Sequence, residues 1–496
     1  MKIILMSMPD VAPVIMHESA FHMPNCGIAS VGANIDEGHE VFTIDLIRKR
    51  RQLRKYITKT LQKIRPDLVG LSSMSWQYQT CLKLIRLIKQ VLPEVKIVIG
   101  GYHVTLMHEE IAASPEAVSI DFMIRGEGEE ACRRLVNALD GKDRLEDIAS
   151  LSYKRNGHFI HNEKGELLDL SRLRPPIRDK RRLTWGYHIM NSKVEIMETS
   201  RGCTRSCNYC SIRHMYGRSF RTYPIERVLE NLDDIYYNRK THWVFFTDDN
   251  LVLDPQRVIE ICDAIIGRQY KNLNLAVQAD CISMSRNETM VSKMSQAGLR
   301  TVFLGIENVS KKNLAAAGKG NIVDASRKAV ELCHKYGIVV VGGLIFGFPD
   351  DDEKDIIENY QFMKSIGSDS AYPQILTPYP KTGMRQDLLD QGLVTNPDDY
   401  RWYNGMWANV KTRHLDSDRL QYLYWYHRQK VLGWWEPSER VRSRGALWTG
   451  IWIYAFRPLL KIILDRKTKK YGWEGRYQRE IKRQKGVNVF RDLDGV

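Results

Sequence analysis

The stretch VEIMETSRGCTRSCNYC, residues 194–210, places an apolar run directly before three closely spaced cysteines. Val194–Thr199 reads as a strand, and Cys203, Cys207 and Cys210 lie on the loop that follows it. Three thiolates within eight residues can converge on one inorganic centre, and soft sulfur ligands suit an iron–sulfur cluster or zinc. A structural zinc takes four protein ligands, and no second Cys or His pair stands at finger spacing. Three protein ligands on a four-iron cube leave one iron open to hold something else. The plain alternative is three unlinked core cysteines, which this spacing disfavours. Downstream the strand-then-loop rhythm continues. Strands are expected at Trp243–Thr247, Leu273–Gln278, Thr301–Gly305, Val339–Phe346 and Tyr372–Leu376, with helical segments such as Ile225–Asn238 and Asp324–Tyr336 between them. About six βα units imply a complete or partial parallel barrel with its chemistry on the loops after the strands.

Upstream, residues 1–145 carry a second alternation. Lys2–Ser7, Glu40–Asp45, Leu68–Ser73, Val95–Ile99 and Phe122–Ile124 read as strands, and residues 78–91 space their apolar side chains as a helix does. Apolar strands separated by helices indicate a doubly wound parallel sheet, which takes ligands beyond the carboxyl ends of its strands. Residues 146–190 are polar and basic, with Arg174-Pro175-Pro176 and Lys180-Arg181-Arg182, and read as a linker before a core at 191–400. Residues 401–496 lose the strand rhythm and read as Trp-rich helix.

Composition sets the outer limits. At 496 residues the chain is long enough for roughly three domains. Hydrophobic content of 43% and charged content of 27% exclude wholesale disorder, collagen and coiled-coil arrays. Nine cysteines, thinly spread outside 203–210, fit a reducing compartment better than a disulfide framework. The opening MKIILMSMPD lacks a signal-peptide pattern, and no apolar run reaches 18 residues, so a cytoplasmic protein is expected. The net charge is +15, but in residues 441–496 alone 14 basic residues stand against 5 acidic ones. Charge this local indicates a surface contact by the tail, not nucleic-acid binding by the whole chain.

The C-x3-C-x2-C motif with Tyr209 before its last cysteine resembles the radical S-adenosylmethionine (SAM) superfamily, over roughly residues 190–385. The resemblance implies that Cys203, Cys207 and Cys210 hold a 4Fe-4S cluster whose fourth iron chelates SAM, with Tyr209 near the adenine. It implies a partial (β/α)6 TIM-like barrel, with SAM met at successive strand ends by Asp248, Asp249, Gln278 and Glu307. Each has a structural alternative. Asp248-Asp249 can be read as a solvated turn or a cap for the helix after Asp254-Pro255, Glu307 as a rim salt bridge, and Gly342-Gly343 as tight strand packing.

The first domain resembles the cobalamin-binding, Rossmann-like domain found before this core in one large subclass. Ser72, Ser73 and Ser75, then Gly100 and Gly101, then Gly126, Glu127 and Gly128 carry the resemblance and are implied cobalamin contacts. No Asp-x-His-x-x-Gly motif is present, so no histidine ligand to cobalt is expected, and His103 reads as a loop residue. A cofactor-free Rossmann-like domain is the alternative. The carboxyl-terminal aromatic and basic sequence, including 446–464, suits either peripheral membrane contact at the inner face or a helical cap over the barrel. By resemblance, an external donor such as flavodoxin or ferredoxin reduces the cluster. SAM then yields a 5′-deoxyadenosyl radical that abstracts hydrogen from an unactivated carbon of a hydrophobic small-molecule or lipid substrate. C-methylation is the leading expectation, and ring formation without methyl transfer the alternative. A non-catalytic corrinoid-binding or membrane-associated protein is the alternative of another class.

Overall fold

A computed structural model describes residues 1–10, 21–50, 52–189, 192–434, 447–486 and 493. The amino-terminal third supplies β1 (Lys2–Ser7), the short β2 (Phe21–His22), β3 (Glu40–Asp45), β4 (Leu68–Ser72), β5 (Lys96–Gly100), β6 (Phe122–Ile124), β7 (Leu151–Arg155) and β8 (His158–His161). All but β2 form one sheet in the order β3-β1-β4-β5-β6-β7-β8, parallel through β6. Its central strands β1, β4 and β5 are almost continuously apolar because helices cover both faces. Leu53, Ile57 and Leu61 of helix Leu53–Ile64 and Ile85 and Ile88 of helix Tyr78–Val91 pack on Ile4, Met6, Val69 and Ile97. Ile28 of helix Cys26–Asn34 and Leu135 of helix Gly128–Leu139 pack on Ile3, Leu5 and Val98. The doubly wound expectation holds.

The reading of 146–190 as a linker is corrected. Residues 151–161 form the β7–β8 hairpin, which extends the first sheet antiparallel to β6. Its turn is Asn156-Gly157, both with positive φ (53° and 83°), the chemistry that a tight hairpin demands. Leu151 and Tyr153 are buried, so the hairpin is core, not tether. Further on, buried Arg181 pairs with Glu195 at 2.7 and 3.2 Å, and Arg178 donates to the Asn231 side chain at 2.6 Å and the Ile196 carbonyl at 3.1 Å. The basic run is thus pinned to the second sheet by neutralising partners.

The second sheet comprises β9 (His188–Ile189), β10 (Ser192–Met197), β13 (Trp243–Phe246), β14 (Asn274–Asp280), β15 (Leu299–Glu307), β16 (Val339–Phe346) and β17 (Ser370–Ile375), while β11 (Ser200–Arg201) and β12 (Arg221–Thr222) pair separately. Six parallel strands run in the order β17-β16-β15-β14-β13-β10, and β9 then β2 add antiparallel at the β10 edge. β17 does not pair with β10, so the barrel is partial, as expected. Burial alternates along these strands. Val244, Val277, Val302, Leu304 and Val340 are fully buried against the helices, whereas Trp243, Phe245, Phe303, Val341 and Tyr372 are half-buried and line an open lumen.

Beyond the barrel, helix Ser417–Trp434 sends Leu420, Leu423 and Tyr424 into the barrel core. A long helix, Leu447–Gly486, kinks at Gly472 and returns Trp473 and Tyr477 onto Tyr422, Trp425 and Tyr426, with ring centroids 5.0–6.1 Å apart. Cap packing is therefore present. Of the stretch 446–464 in the membrane-contact expectation, Ala446 lies outside the described residues, as do the side chains of 447–461. Among the described residues no helix is long and apolar enough to cross a membrane.

Candidate active site

β11 and β12 pair Ser200 with Thr222 and Arg201 with Arg221, closing a hairpin around residues 202–220 and hence around all three cysteines. Gly202 opens the loop at φ 89°, where a Cβ would strike the Ser219 carbonyl, and its N–H donates to Asp249 at 2.9 Å. The loop's middle is clamped at Asn208. Its backbone N–H donates to the Ala317 carbonyl at 2.9 Å, its carbonyl accepts from Met384 at 3.2 Å, and its side chain donates to Asp387 at 3.0 Å. Cys203, Cys207 and Cys210 are half-buried and unpaired. Burial pushes all three thiols up, Cys210 to about 12, so metal binding must displace protons to give thiolates. Among the described residues no three His, Cys, Asp or Glu groups are set to hold a single metal ion. Three soft donors on one clamped loop, without a fourth, fit an iron–sulfur cube with an open corner better than a structural zinc. Thr204, Arg205 and Ser206 are exposed, which leaves this loop reachable from solvent.

The expected SAM residues divide in two. Asp248 is 1% exposed and its carboxylate is consumed by the β10–β11 turn, accepting from the Thr199 hydroxyl at 2.7 Å, the Thr199 N–H at 3.1 Å and the Ser200 hydroxyl. It is a buried brace, neither a solvated turn nor a helix cap, and burial pushes it up to about 6. Asp249 fastens Gly202 and is likewise pushed up to about 6 by burial. Gln278 lies on the lumen side, with only a 3.5 Å contact to the Asp248 carbonyl. Glu307 has φ 64°, a left-handed conformation that a non-glycine residue holds only under constraint. The constraint is visible: its carboxylate pairs with Lys319 at 2.9 Å and meets the Tyr209 phenol. Burial pushes Cys207 up, and the neighbouring Lys319 ammonium partly offsets this. Tyr209, Glu307 and Lys319 therefore form one group beside the cysteine loop.

The implied cobalamin contacts lie beyond the carboxyl ends of β4, β5 and β6. Gly101, at φ 95°, is a cradle: a Cβ there would lie 2.7 Å from the Ser73 carbonyl and 3.1 Å from the Ser72 hydroxyl. Gly100 is half-buried, and Ser73 and Ser75 are buried. His103 Nδ1 is buried without a hydrogen-bond partner and the buried Ser73 hydroxyl has only the weak Cys81 thiol beside it, polar atoms that a bulky polar cofactor would satisfy. The His103 ring lies tilted against Tyr78 at 4.2 Å and edge-on to Tyr400 at 5.3 Å, and burial pushes it down to about 4. The glycine cradle and orphaned polar atoms fit a corrinoid docked on the strand ends. The third motif behaves differently. Gly126 takes φ 71°, Gly128 packs near Val31, and Glu127 faces the barrel domain, accepting from Arg201 at 2.9 Å and Arg221 at 2.9 and 3.1 Å.

The two loops meet. Helix Tyr102–Ala112 follows the glycine cradle, and Thr105 reaches Met215 of helix Ile212–Tyr216, just past Cys210. Burial, with Tyr216, Asp249 and Cys210 nearby, pushes the Tyr102 phenol well above its ordinary range. Comparison with known proteins agrees with this layout. A B12 binding domain model matches residues 12–136 and a Radical SAM superfamily model matches residues 197–363. An uncharacterized methyltransferase of Pyrococcus horikoshii is 30% identical over 439 residues, 87% of this chain and 94% of that protein. The chain belongs to the B12-binding radical SAM family.

Among other family members, the anaerobic magnesium-protoporphyrin IX monomethyl ester cyclase of Rubrivivax gelatinosus is 26% identical over 379 residues, 74% of this chain and 65% of that one. The solved radical SAM methyltransferase TsrM of Kitasatospora setae, with cobalamin and a [4Fe-4S] cluster bound, shares the fold. Its TM-score is 0.64 at 17% identity, covering 79% of this chain and 75% of that one. As a radical SAM enzyme this chain uses a 4Fe-4S cluster, SAM and cobalamin. Sequence reasoning missed Lys319 and the Arg201–Glu127 pairing. Lys319 alone left a trace, in Gly318-Lys319-Gly320, where both glycines take positive φ and hold the lysine toward the cysteine loop.

Proposed function

We propose that this enzyme transfers a methyl group to an unactivated carbon of a hydrophobic substrate held in the barrel lumen. The observation that carries the reading is the lumen wall. Trp243, Phe245, Phe303, Val341 and Tyr372 stay half-buried inside a barrel whose helix-facing residues are fully buried. An apolar wall left unfilled by the chain's own side chains favours a greasy occupant. When bound, the cluster supplies an electron that splits SAM, and the corrinoid supplies a transferable methyl group. Cys203, Cys207 and Cys210 would hold the cluster; Tyr209, Asp249, Gln278 and Glu307 would orient SAM; Ser72, Ser73, Ser75, Gly100 and Gly101 would seat the corrinoid. The lumen excludes water and stray hydrogen donors around a reactive radical. The name of the Pyrococcus relative supports methyl transfer, and the likeness to the cyclase, which acts on a tetrapyrrole ester, supports a hydrophobic substrate and keeps ring formation as the second reading. We take the reductant to be a small acidic flavodoxin or ferredoxin meeting the exposed Thr204–Ser206 edge, in a reducing cytoplasm that keeps all nine cysteines free.

The test is anaerobic reconstitution followed by turnover with trideuteromethyl-SAM on isoprenoid lipids and tetrapyrroles. About four iron and about one corrinoid per chain are expected, with formation of 5′-deoxyadenosine. A trideuteromethyl group in the product supports methylation; an unlabelled product that has lost hydrogen supports ring formation. A protein that forms no 5′-deoxyadenosine ends both readings.

A further inference from the structure

An ion-pair cluster that the chemistry above does not use joins the two cofactor loops. Arg201 and Arg221 stand directly opposite each other on β11 and β12, where like charges weaken a strand pair. Glu127, from the loop after β6, lies between them. Its Oε1 accepts from Arg201 at 2.9 Å and Arg221 at 3.1 Å, and its Oε2 accepts from Arg221 and from the Leu168 N–H, each at 2.9 Å. Glu129, in the first turn of the next helix, accepts from Arg201 at 2.6 Å and from the Ser30 hydroxyl at 2.7 Å. Glu198 adds a third carboxylate to Arg201 at 3.0 Å. The side chains of Arg201, Glu127 and Glu129 are at most 6% exposed. Charges so deep are tolerable only while paired, and forked guanidinium–carboxylate contacts fix orientation as well as distance. The arginines sit at the two ends of the loop that carries the cysteines, and the carboxylates sit on the loop beside the corrinoid cradle.

We propose that Glu127 and Glu129, clamped on Arg201 and Arg221, are positioning residues that set the separation between the cluster and the corrinoid. This rests on the reading that both cofactors bind. Two loops from different domains are held in register by a buried charge lattice, and sliding one past the other would expose unpaired charge. Neither carboxylate touches a cofactor; each acts through the hairpin.

The experiment uses the full chain reconstituted with iron, sulfide and hydroxocobalamin in excess dithiothreitol, which reduces the cobalt to cob(II)alamin while leaving the cluster oxidised, as wild type, Glu127→Gln and Arg201→Lys. The direct readout is the microwave power saturation of the cob(II)alamin electron paramagnetic resonance signal, with and without dithionite reduction of the cluster. The wild type should show faster relaxation when the cluster is reduced, and the variants should lose that enhancement while keeping wild-type iron and corrinoid content. In the cofactor-free protein, amide exchange across residues 200–222 should rise roughly tenfold in Glu127→Gln, with Val339–Phe346 unchanged. Enhancement equal to wild type in both variants would overturn the proposal, as would a loaded wild type with no enhancement at all. A wild type that binds no corrinoid would instead end the functional reading, and the exchange arm would still judge the clamp. If Glu127→Gln does not fold, Glu129→Gln, which leaves the Arg221 pairing in place, carries the same expectation.

Discussion

The two large sheets are made from the same βα repeat yet offer a ligand different surfaces. In the first, Ile3 to Ser7 of β1 are all buried, because helices cover both faces. In the second, β13 and β14 alternate half-buried and buried residues, because one face meets helices and the other an open lumen. The first sheet can therefore hold a ligand only on its strand ends, where Gly101 lets the loop after β5 close onto the Ser73 backbone. The second can surround a ligand with its inner wall. The division of labour between cofactor and substrate follows from which faces the helices leave uncovered.

The largest expected effect separates the two regions outright. Cys207→Ala should abolish SAM cleavage and cluster iron while corrinoid content stays at wild-type level, measured by iron analysis, 5′-deoxyadenosine chromatography and corrinoid absorption. Loss of corrinoid in the same variant would mean that the first sheet cannot hold its cofactor alone. Next, adjacent residues of β15 test the two faces of the second sheet. Leu304→Ala, on the fully buried side, should cost about 2–5 kcal/mol in denaturant unfolding, and Phe303→Ala, on the lumen side, less than half of that. Equal losses would mean that the lumen is packed core. The mirror of the cysteine variant is Gly101→Ala, which forces a Cβ against the Ser73 backbone at φ 95°. Corrinoid affinity should fall by roughly tenfold with iron content unchanged, read by equilibrium titration with hydroxocobalamin.

The smallest effect is a pH dependence of opposite sign in the two regions. His103 is held neutral by burial, its value moved from 6.5 down to about 4. The unfolded chain therefore binds more protons between those values, and the first region loses stability as pH falls through that window. Asp351 binds the Gly347 and Phe348 N–H groups at 2.8 and 3.0 Å and Asn313 at 2.6 Å, yet burial moves it from 3.8 up to about 6. Here the folded chain holds the extra proton, so the second region loses stability as pH rises through that window. Each slope is at most about 1.4 kcal/mol per pH unit. Amide exchange in β4–β5 and in β16, compared at about pH 4.5 and about pH 6.5 after correction for intrinsic rates, should drift in opposite directions. His103→Phe, which keeps an aromatic ring against Tyr78 and Tyr400, should flatten only the first; Asp351→Asn should flatten only the second.

What the sequence alone determined is local in origin. The apolar period placed β16 at Val339–Phe346 and the helix at Tyr78–Val91 without error, because strand and helix periods are written in neighbouring residues. The cysteine spacing likewise singled out one candidate donor set, since three thiols in eight residues have few other uses. Residues 151–161 fell between these cases: Asn156-Gly157 marked a hairpin, but the polar strands beside it masked the signal. Only the tertiary structure decided what the acidic residues do. Glu127 in a glycine-rich loop and Asp248 at a strand end both look aimed at a cofactor. Glu127 is instead spent on Arg201, 74 residues away, and Asp248 on Thr199, 49 residues away. A carboxylate's role is set by whichever donor the fold brings within about 3 Å of it, and nothing local to its own segment encodes that partner.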